Sequence, residues 1–92
     1  MRLDKFLQTS RIVKRRAVAS ELCDKGRVTV NGRPAKAGKD LRVGDVVGLR
    51  LRSGSSMACE IRELPRGGVR KDDASKLYAI VEDSRGDDER DG

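Results

Sequence analysis

Four cations stand within six residues of this chain: Arg11, Lys14, Arg15 and Arg16. Arg2 and Lys5 lie just upstream, and Asp4 between them is the one acid among the first twenty residues. A guanidinium presents a planar fork that matches phosphate, and an ammonium presents a point charge, so the chemistry of this stretch is anion binding. Nothing supplies a catalytic alternative. The chain has no histidine, and Ser10, Ser20 and the loop serines have no evident base. The acid pairs Asp72-Asp73 and Asp87-Asp88 read as solvated charge in a linker and a tail. The scattered glycines make no phosphate-binding loop ahead of a helix. Cys23 and Cys59 are 36 positions apart with no CxxC pair, which argues against a zinc site. Each falls at an apolar position of its element and is expected to be a small core residue. The expectation is a non-enzyme with no cofactor and no metal.

The charge distribution sharpens this. The chain has 92 residues and a net charge of +6. Residues 1–52 hold fourteen Lys and Arg against five acids, a balance of +9, and residues 53–92 hold seven against ten, a balance of −3. Clustered cations attract a polyanion and release its counterions, which makes affinity salt-dependent. Nucleic acid is the leading partner. An anionic membrane is the rival, but no helix combines a basic face with a broad apolar one, so no membrane partner is expected. The N-terminus has no signal-like apolar run and no segment approaches spanning length. Free cysteines then fit a reduced, cytoplasmic setting.

The elements that must position the cations follow from periodicity. Leu3, Phe6 and Leu7 mark a first helix over residues 3–9, with Asp4 in its first turn. There Asp4 either serves the positive helix end or orients a neighbouring arginine. Residues 10–14 form a connector. A second helix starts around Lys14 or Arg15 and runs to Lys25, with Val18, Ala19, Leu22 and Cys23 as its buried stripe and Gly26 ending it. Val28 and Val30 alternate with Arg27 and Thr29 as a half-buried strand, and Asn31-Gly32 favours a turn at positive φ. Residues 33–37 form a return strand that Pro34 confines to an edge, and Lys36, Gly38 and Lys39 a mobile basic loop. Val47, Leu49 and Leu51 alternate with Gly48, Arg50 and Arg52, and Met57, Cys59 and Ile61 with Ala58, Glu60 and Arg62. These two strands are expected to pair antiparallel across a Ser-Gly-Ser-Ser loop. Residues 65–73 read as a linker and 73–78 as a short helical turn. Residues 78–81 either extend that turn or add a strand. The last ten residues carry seven charges and no apolar side chain, too little to bury for order.

A domain of this size buries only about 60–65% of its unfolded surface. With Phe6 and Tyr78 as its only aromatics, its core is built from Val, Leu, Ile and Ala. That supports one helix-on-sheet layer, an α+β architecture, without an enclosed substrate pocket. The same scarcity of aromatics sets the mode of recognition. Readers of single strands stack bases on Phe, Tyr or Trp, which this chain cannot do. Folded RNA, read by shape through phosphates and 2′-hydroxyls, fits better. A DNA-reading helix would display Asn, Gln or Arg to base edges, whereas the second helix shows Ser20, Glu21 and Asp24 beyond Arg16.

RLDKFL, then KRRAVASELCDKG, then RVTVNGRPAKAGKDLRVGD resembles the S4 RNA-binding domain family. Its mark is an Arg-Leu-Asp start, a basic loop, a helix of the form R-x-x-A-x-x-L-hydrophobic-x-x-G, and V-x-V-N-G. Arg16, Ala19, Leu22, Cys23 and Gly26 occupy those helix positions, and the match spans about residues 2–50. The resemblance implies an S4-type fold (the αL motif), with two N-terminal helices on a small, mainly antiparallel sheet. With the core motif over residues 2–50, the chain is expected to divide into an S4-type RNA-binding domain over residues 1–65, an extension over 66–82 and, by composition, a disordered acidic tail over 83–92. Length and tail look most like the family's ribosome-quality-control members. Those imply binding of stalled large ribosomal subunits that carry peptidyl-tRNA, through large-subunit rRNA and tRNA, and support of an RqcH-type tailing factor that adds C-terminal alanines. Arg2, Asp4 and Arg16 match positions tied to rRNA and tRNA binding. The wider expected surface adds Lys5, Arg11, Lys14, Arg15, Lys36 and Lys39, on a protein that is a monomer off the ribosome. The competing expectations are a heat-shock-type S4 protein that rescues obstructed large subunits, a targeting subunit for a separate rRNA-modifying enzyme, and a constitutive ribosomal protein.

Overall fold

The computed structural model describes residues 1–51, 53–65 and 69–84. Two helices, α1 (Leu3–Thr9) and α2 (Arg16–Asp24), cover one face of a five-stranded sheet. The strands are β1 (Val28–Val30), β2 (Arg33–Pro34), β3 (Val46–Arg50), β4 (Ser56–Ile61) and β5 (Tyr78–Ser84), in the order β2-β1-β3-β4-β5 with every pair antiparallel. A 3-10 helix, Lys71–Leu77, leads into β5. Period-2 alternation makes the core: Val28, Val30, Val47, Leu49, Cys59 and Ile61 join Leu3, Phe6 and Leu7 of α1 and Ala19, Leu22 and Cys23 of α2. Both cysteines are buried free thiols, as expected.

Backbone chemistry sets the boundaries. Helix α2 ends in a Schellman motif: Gly26 at φ +72 donates to the Cys23 carbonyl, and Arg27 donates to that of Leu22. Asn31 and Gly32, at φ +53 and +86, make the tight β1–β2 turn. Pro34 lies on the edge strand, where its missing N–H costs no ladder bond.

The structure corrects several expectations. Val18 is 42% exposed and not part of the buried stripe. At 100° per residue it points roughly 90° away from the centre of Ala19, Leu22 and Cys23. Helix α2 begins only at Arg16, with extended Arg15 as its cap. The return strand stops at Pro34, because the carbonyls of Ala37 and Lys39 bind α1 instead of the sheet. Leu51 lies outside β3 and is exposed; its backbone closes the hairpin through Ser55 and Gly54. The 3-10 helix starts at Lys71, inside the expected linker, and buried Ala74 and Leu77 pin it down. Residues 78–81 add a strand, and that strand runs on through Asp83 and Ser84, which pair with Met57 and Ser56. The start of the expected disordered tail is therefore strand backbone; the remainder of that tail, Arg52 and the Arg66–Gly68 part of the linker lie outside the described residues.

Candidate nucleic-acid interface

The site is organised around one buried carboxylate. Asp4 is 4% exposed. Its Oδ1 accepts the Lys5 backbone N–H at 2.8 Å and meets Arg2 Nε at 3.3 Å. Its Oδ2 accepts from Arg16 Nε at 3.2 Å. Both readings of Asp4 thus hold together: it serves a first-turn N–H of α1 and it orients arginines, two rather than one. Each arginine is held by Nε, the inner nitrogen of its guanidinium. The outer N–H groups of both forks stay with side chains that are about half exposed. Arg2 and Arg16 are 14 positions apart in sequence, yet one carboxylate holds them side by side with their forks available for phosphate.

The loop carrying Lys36 and Lys39 belongs to the same surface, and its backbone is tied to α1. Leu3 N–H donates to the Lys39 carbonyl and Asp4 N–H to that of Ala37, at 2.8 and 3.1 Å. These bonds satisfy two donors that α1 would otherwise leave unpaired at its start. Arg2 forms an isolated β-bridge with Asp40, and Leu41 N–H donates to the Met1 carbonyl. The Met1 amino group hydrogen-bonds Asp40 at 3.0 Å and, with its charge, holds that carboxyl below the usual carboxylate value. The Arg2 guanidinium passes over Gly38, at van der Waals distance from where a Cβ would stand. Sequence reasoning placed Gly38 in the basic loop but missed its position beneath Arg2, and it missed the Ala37 and Lys39 carbonyls; the Lys-Ala-Gly-Lys spacing was the only hint, since backbone acceptors leave no side-chain signature.

The remaining cations extend the patch along α1. Lys5 is exposed on its first turn. At its other end Arg11 and Lys14 border a cleft of about 270 Å³ with Gln8, Thr9 and Val69. Arg11 takes φ +63, the left-handed conformation usually left to glycine, and there donates its N–H to the Gln8 carbonyl to end α1. Arg15 caps α2, whose first turn holds no acid and receives no side-chain cap, so the positive end of that helix faces the same surface as Arg15 and Arg16. All nine expected residues therefore lie on or beside the helix pair, Asp4 as the buried organiser and the other eight exposed.

Neither cysteine is an activated thiol. Burial pushes the Cys23 thiol up to about 11, with the negative charges of Asp4 and Asp24 adding to it, and burial alone does the same for Cys59. Both are protonated and inert at neutral pH. No helix of the described residues is long and apolar enough to cross a membrane.

Known proteins share this sequence pattern and fold. The S4 domain family profile matches residues 1–47. An RQC P-site tRNA stabilizing factor of Streptococcus pneumoniae is 44% identical over 85 residues, 92% of this chain and 94% of that one. A protein of the same description from Halalkalibacterium halodurans is 46% identical over 80 residues, 87% of this chain and 89% of that one. Among solved structures, a trimeric Vibrio cholerae Heat Shock Protein 15 is similar, with a TM-score of 0.79 and 28% identity over 88% of this chain and 81% of that one.

Proposed function

The chain belongs to the S4 domain family, alongside the RQC P-site tRNA stabilizing factors, and from that premise we propose that it is a cytoplasmic, non-enzymatic factor of ribosome quality control. It binds large ribosomal subunits that carry peptidyl-tRNA, holds that tRNA in place and so supports C-terminal alanine tailing by an RqcH-type factor. The observation that carries this reading is the Asp4 clamp. A protein that acts by holding RNA needs preset cations rather than reactive groups, and one buried carboxylate presets two arginine forks before any RNA arrives. Ordering both side chains in advance lowers the entropy cost of binding, about 0.5–1.5 kcal/mol for each side chain otherwise immobilised. The Ala37–Lys39 loop, the exposed start of α2 and the cations of the connector continue one cationic face along α1. That face suits the phosphates of a folded rRNA element. The protein binds it as a monomer and supplies no chemistry of its own.

Arg16→Glu tests this. Its side chain is half exposed, so the variant is expected to fold with a native circular dichroism spectrum and to lose co-sedimentation with large subunits. A folded Arg16→Glu protein that co-sediments as the parent does would exclude the helix face as the binding surface. Likeness to Heat Shock Protein 15 favours a second reading, rescue of obstructed subunits without tailing. Disappearance of alanine tails when the protein is removed supports the first reading, and their persistence supports the second.

A further inference from the structure

The helices cover one face of the sheet and leave the other open. Across that open face the small residues Thr29, Gly48 and Ala58 stand in register, Thr29 opposite Gly48 and Gly48 opposite Ala58, and the row ends with Ala58 opposite Glu82. They floor a trough of about 720 Å³. A Cβ at position 48 would overlap the Thr29 hydroxyl oxygen, so glycine there lets that hydroxyl lie across the floor. Lys25, Arg27 and Arg50 line the trough at its β1–β3 end. Arg27 and Arg50 are neighbours, the Arg50 N–H donating to the Arg27 carbonyl at 2.9 Å. Among the described residues neither guanidinium has an acid partner, whereas Lys25 shares its charge with Glu21 at 3.7 Å. Glu82 is the one acid that lines the trough, at its far end. None of these cations belongs to the helix face.

The geometry points to this trough as a second RNA site, one that takes the ribose–phosphate backbone of the tRNA while the helix face holds the subunit. The inference rests on the function proposed above. A factor that stabilises one RNA upon another must touch both, and the two cationic surfaces lie on opposite sides of the sheet. The small floor admits a backbone closely. Arg27 and Arg50 present two forks for phosphates, and the Thr29 hydroxyl can pair with a 2′-hydroxyl or phosphate oxygen. Glu82 repels phosphate from the far end and fixes the direction of approach. The absence of an aromatic from the floor makes the interaction one of backbone rather than base.

The test compares the full-length protein, the Arg27→Gln/Arg50→Gln double variant and Arg16→Glu, with two probes: large subunits stripped of tRNA, and mixed deacylated tRNA. The expected result is a double variant that binds stripped subunits within about twofold of the parent. Its affinity for tRNA falls at least about tenfold, and the slope of log affinity against log salt falls by roughly two, one for each phosphate that the two arginines no longer neutralise. Ala58→Glu, which places an acid on the trough floor, is expected to give the same pattern and guards against misfolding of either variant. Parental tRNA affinity and slope in both variants overturns the inference. So does loss of stripped-subunit binding to the extent seen for Arg16→Glu, which would place the trough on rRNA. A changed oligomeric state with unchanged tRNA affinity overturns it too, in favour of a second copy on this face. Failure of the parent itself to bind stripped subunits refutes the helix-face reading instead, and tells the two apart.

Discussion

Replacing Asp4 by asparagine sets two physical effects against each other. By net charge alone, removing an acid from a cationic RNA face strengthens binding. By the clamp, it weakens binding. The amide oxygen of the substituted side chain can keep the Lys5 N–H that Asp4 Oδ1 now accepts at 2.8 Å. Its NH2 then confronts Arg16 Nε, which Oδ2 now holds at 3.2 Å, and the pull on Arg2 Nε at 3.3 Å is lost as well. Hydrogen bonds to charged groups contribute about 1.5–3 kcal/mol. Both arginines are about half exposed, so solvent screening reduces each to about 1 kcal/mol. The stability loss is then roughly 2 kcal/mol, a fall in Tm of about 8–16 °C for a domain of this size. For binding, each fork that must be ordered anew costs about 1 kcal/mol, which together weaken affinity on the order of 10- to 50-fold. Calorimetry of the free protein measures the first quantity, and titration of large subunits at fixed salt, below the lowered Tm, measures the second. A folded Asp4→Asn protein that binds as tightly as the parent, or more tightly, would refute the clamp.

Other expectations follow from the same geometry. Arg11 holds φ +63, where glycine is unstrained, so Arg11→Gly is expected to stabilise the fold by about 0.5–1 kcal/mol while weakening RNA binding severalfold; thermal unfolding and subunit titration check the two signs. The thiols of Cys23 and Cys59 both titrate near 11 in the folded protein against an ordinary 9.0, so the folded chain keeps protons that the unfolded chain releases. Their contribution is full below pH 9 and is lost as pH rises through 11, at most about 1.4 kcal/mol per pH unit for each thiol. The direction follows from the raised folded value: between those two pH values the unfolded chain alone is ionised, so alkali changes the balance between the two states there. Because the thiolate of the unfolded chain is the species that alkali favours, stability falls across this window. Urea unfolding at pH 8 and pH 10 is expected to show this loss in the parent and a smaller one in a Cys23→Ala/Cys59→Ala variant; equal losses would contradict it.

What the sequence disclosed depended on where the information lay. Helix α1, helix α2 and β1 were legible because side-chain periodicity carries them, and Gly26 and Asn31-Gly32 because positive φ selects residue types. The nine candidate residues were chosen as cations around one acid, but their grouping was not legible: Asp4 joins Arg2 to Arg16 through space, and no spacing rule records that. The Lys36–Lys39 loop looked mobile because its anchors are backbone carbonyls bound to α1. Strand β5 was obscure for another reason. A register shift between Ala58 and Cys59 breaks its pairing with β4, and Ile80 and Val81 are both more than half exposed, so the alternation that announces a half-buried strand is absent. Val18 misled because it is apolar one position off the stripe. The trough escaped notice because its floor is made of Thr29, Gly48 and Ala58, residues that no motif singles out.

The central claim is that this protein holds peptidyl-tRNA on a lone large subunit. Its most direct measurement is the RNA content of complexes isolated through the protein from cells under translational stalling. The expected result is large-subunit rRNA and peptidyl-tRNA together, without small-subunit rRNA, and their joint loss with Arg16→Glu. Equal recovery of both subunits' rRNA, or large-subunit rRNA without peptidyl-tRNA, would contradict it.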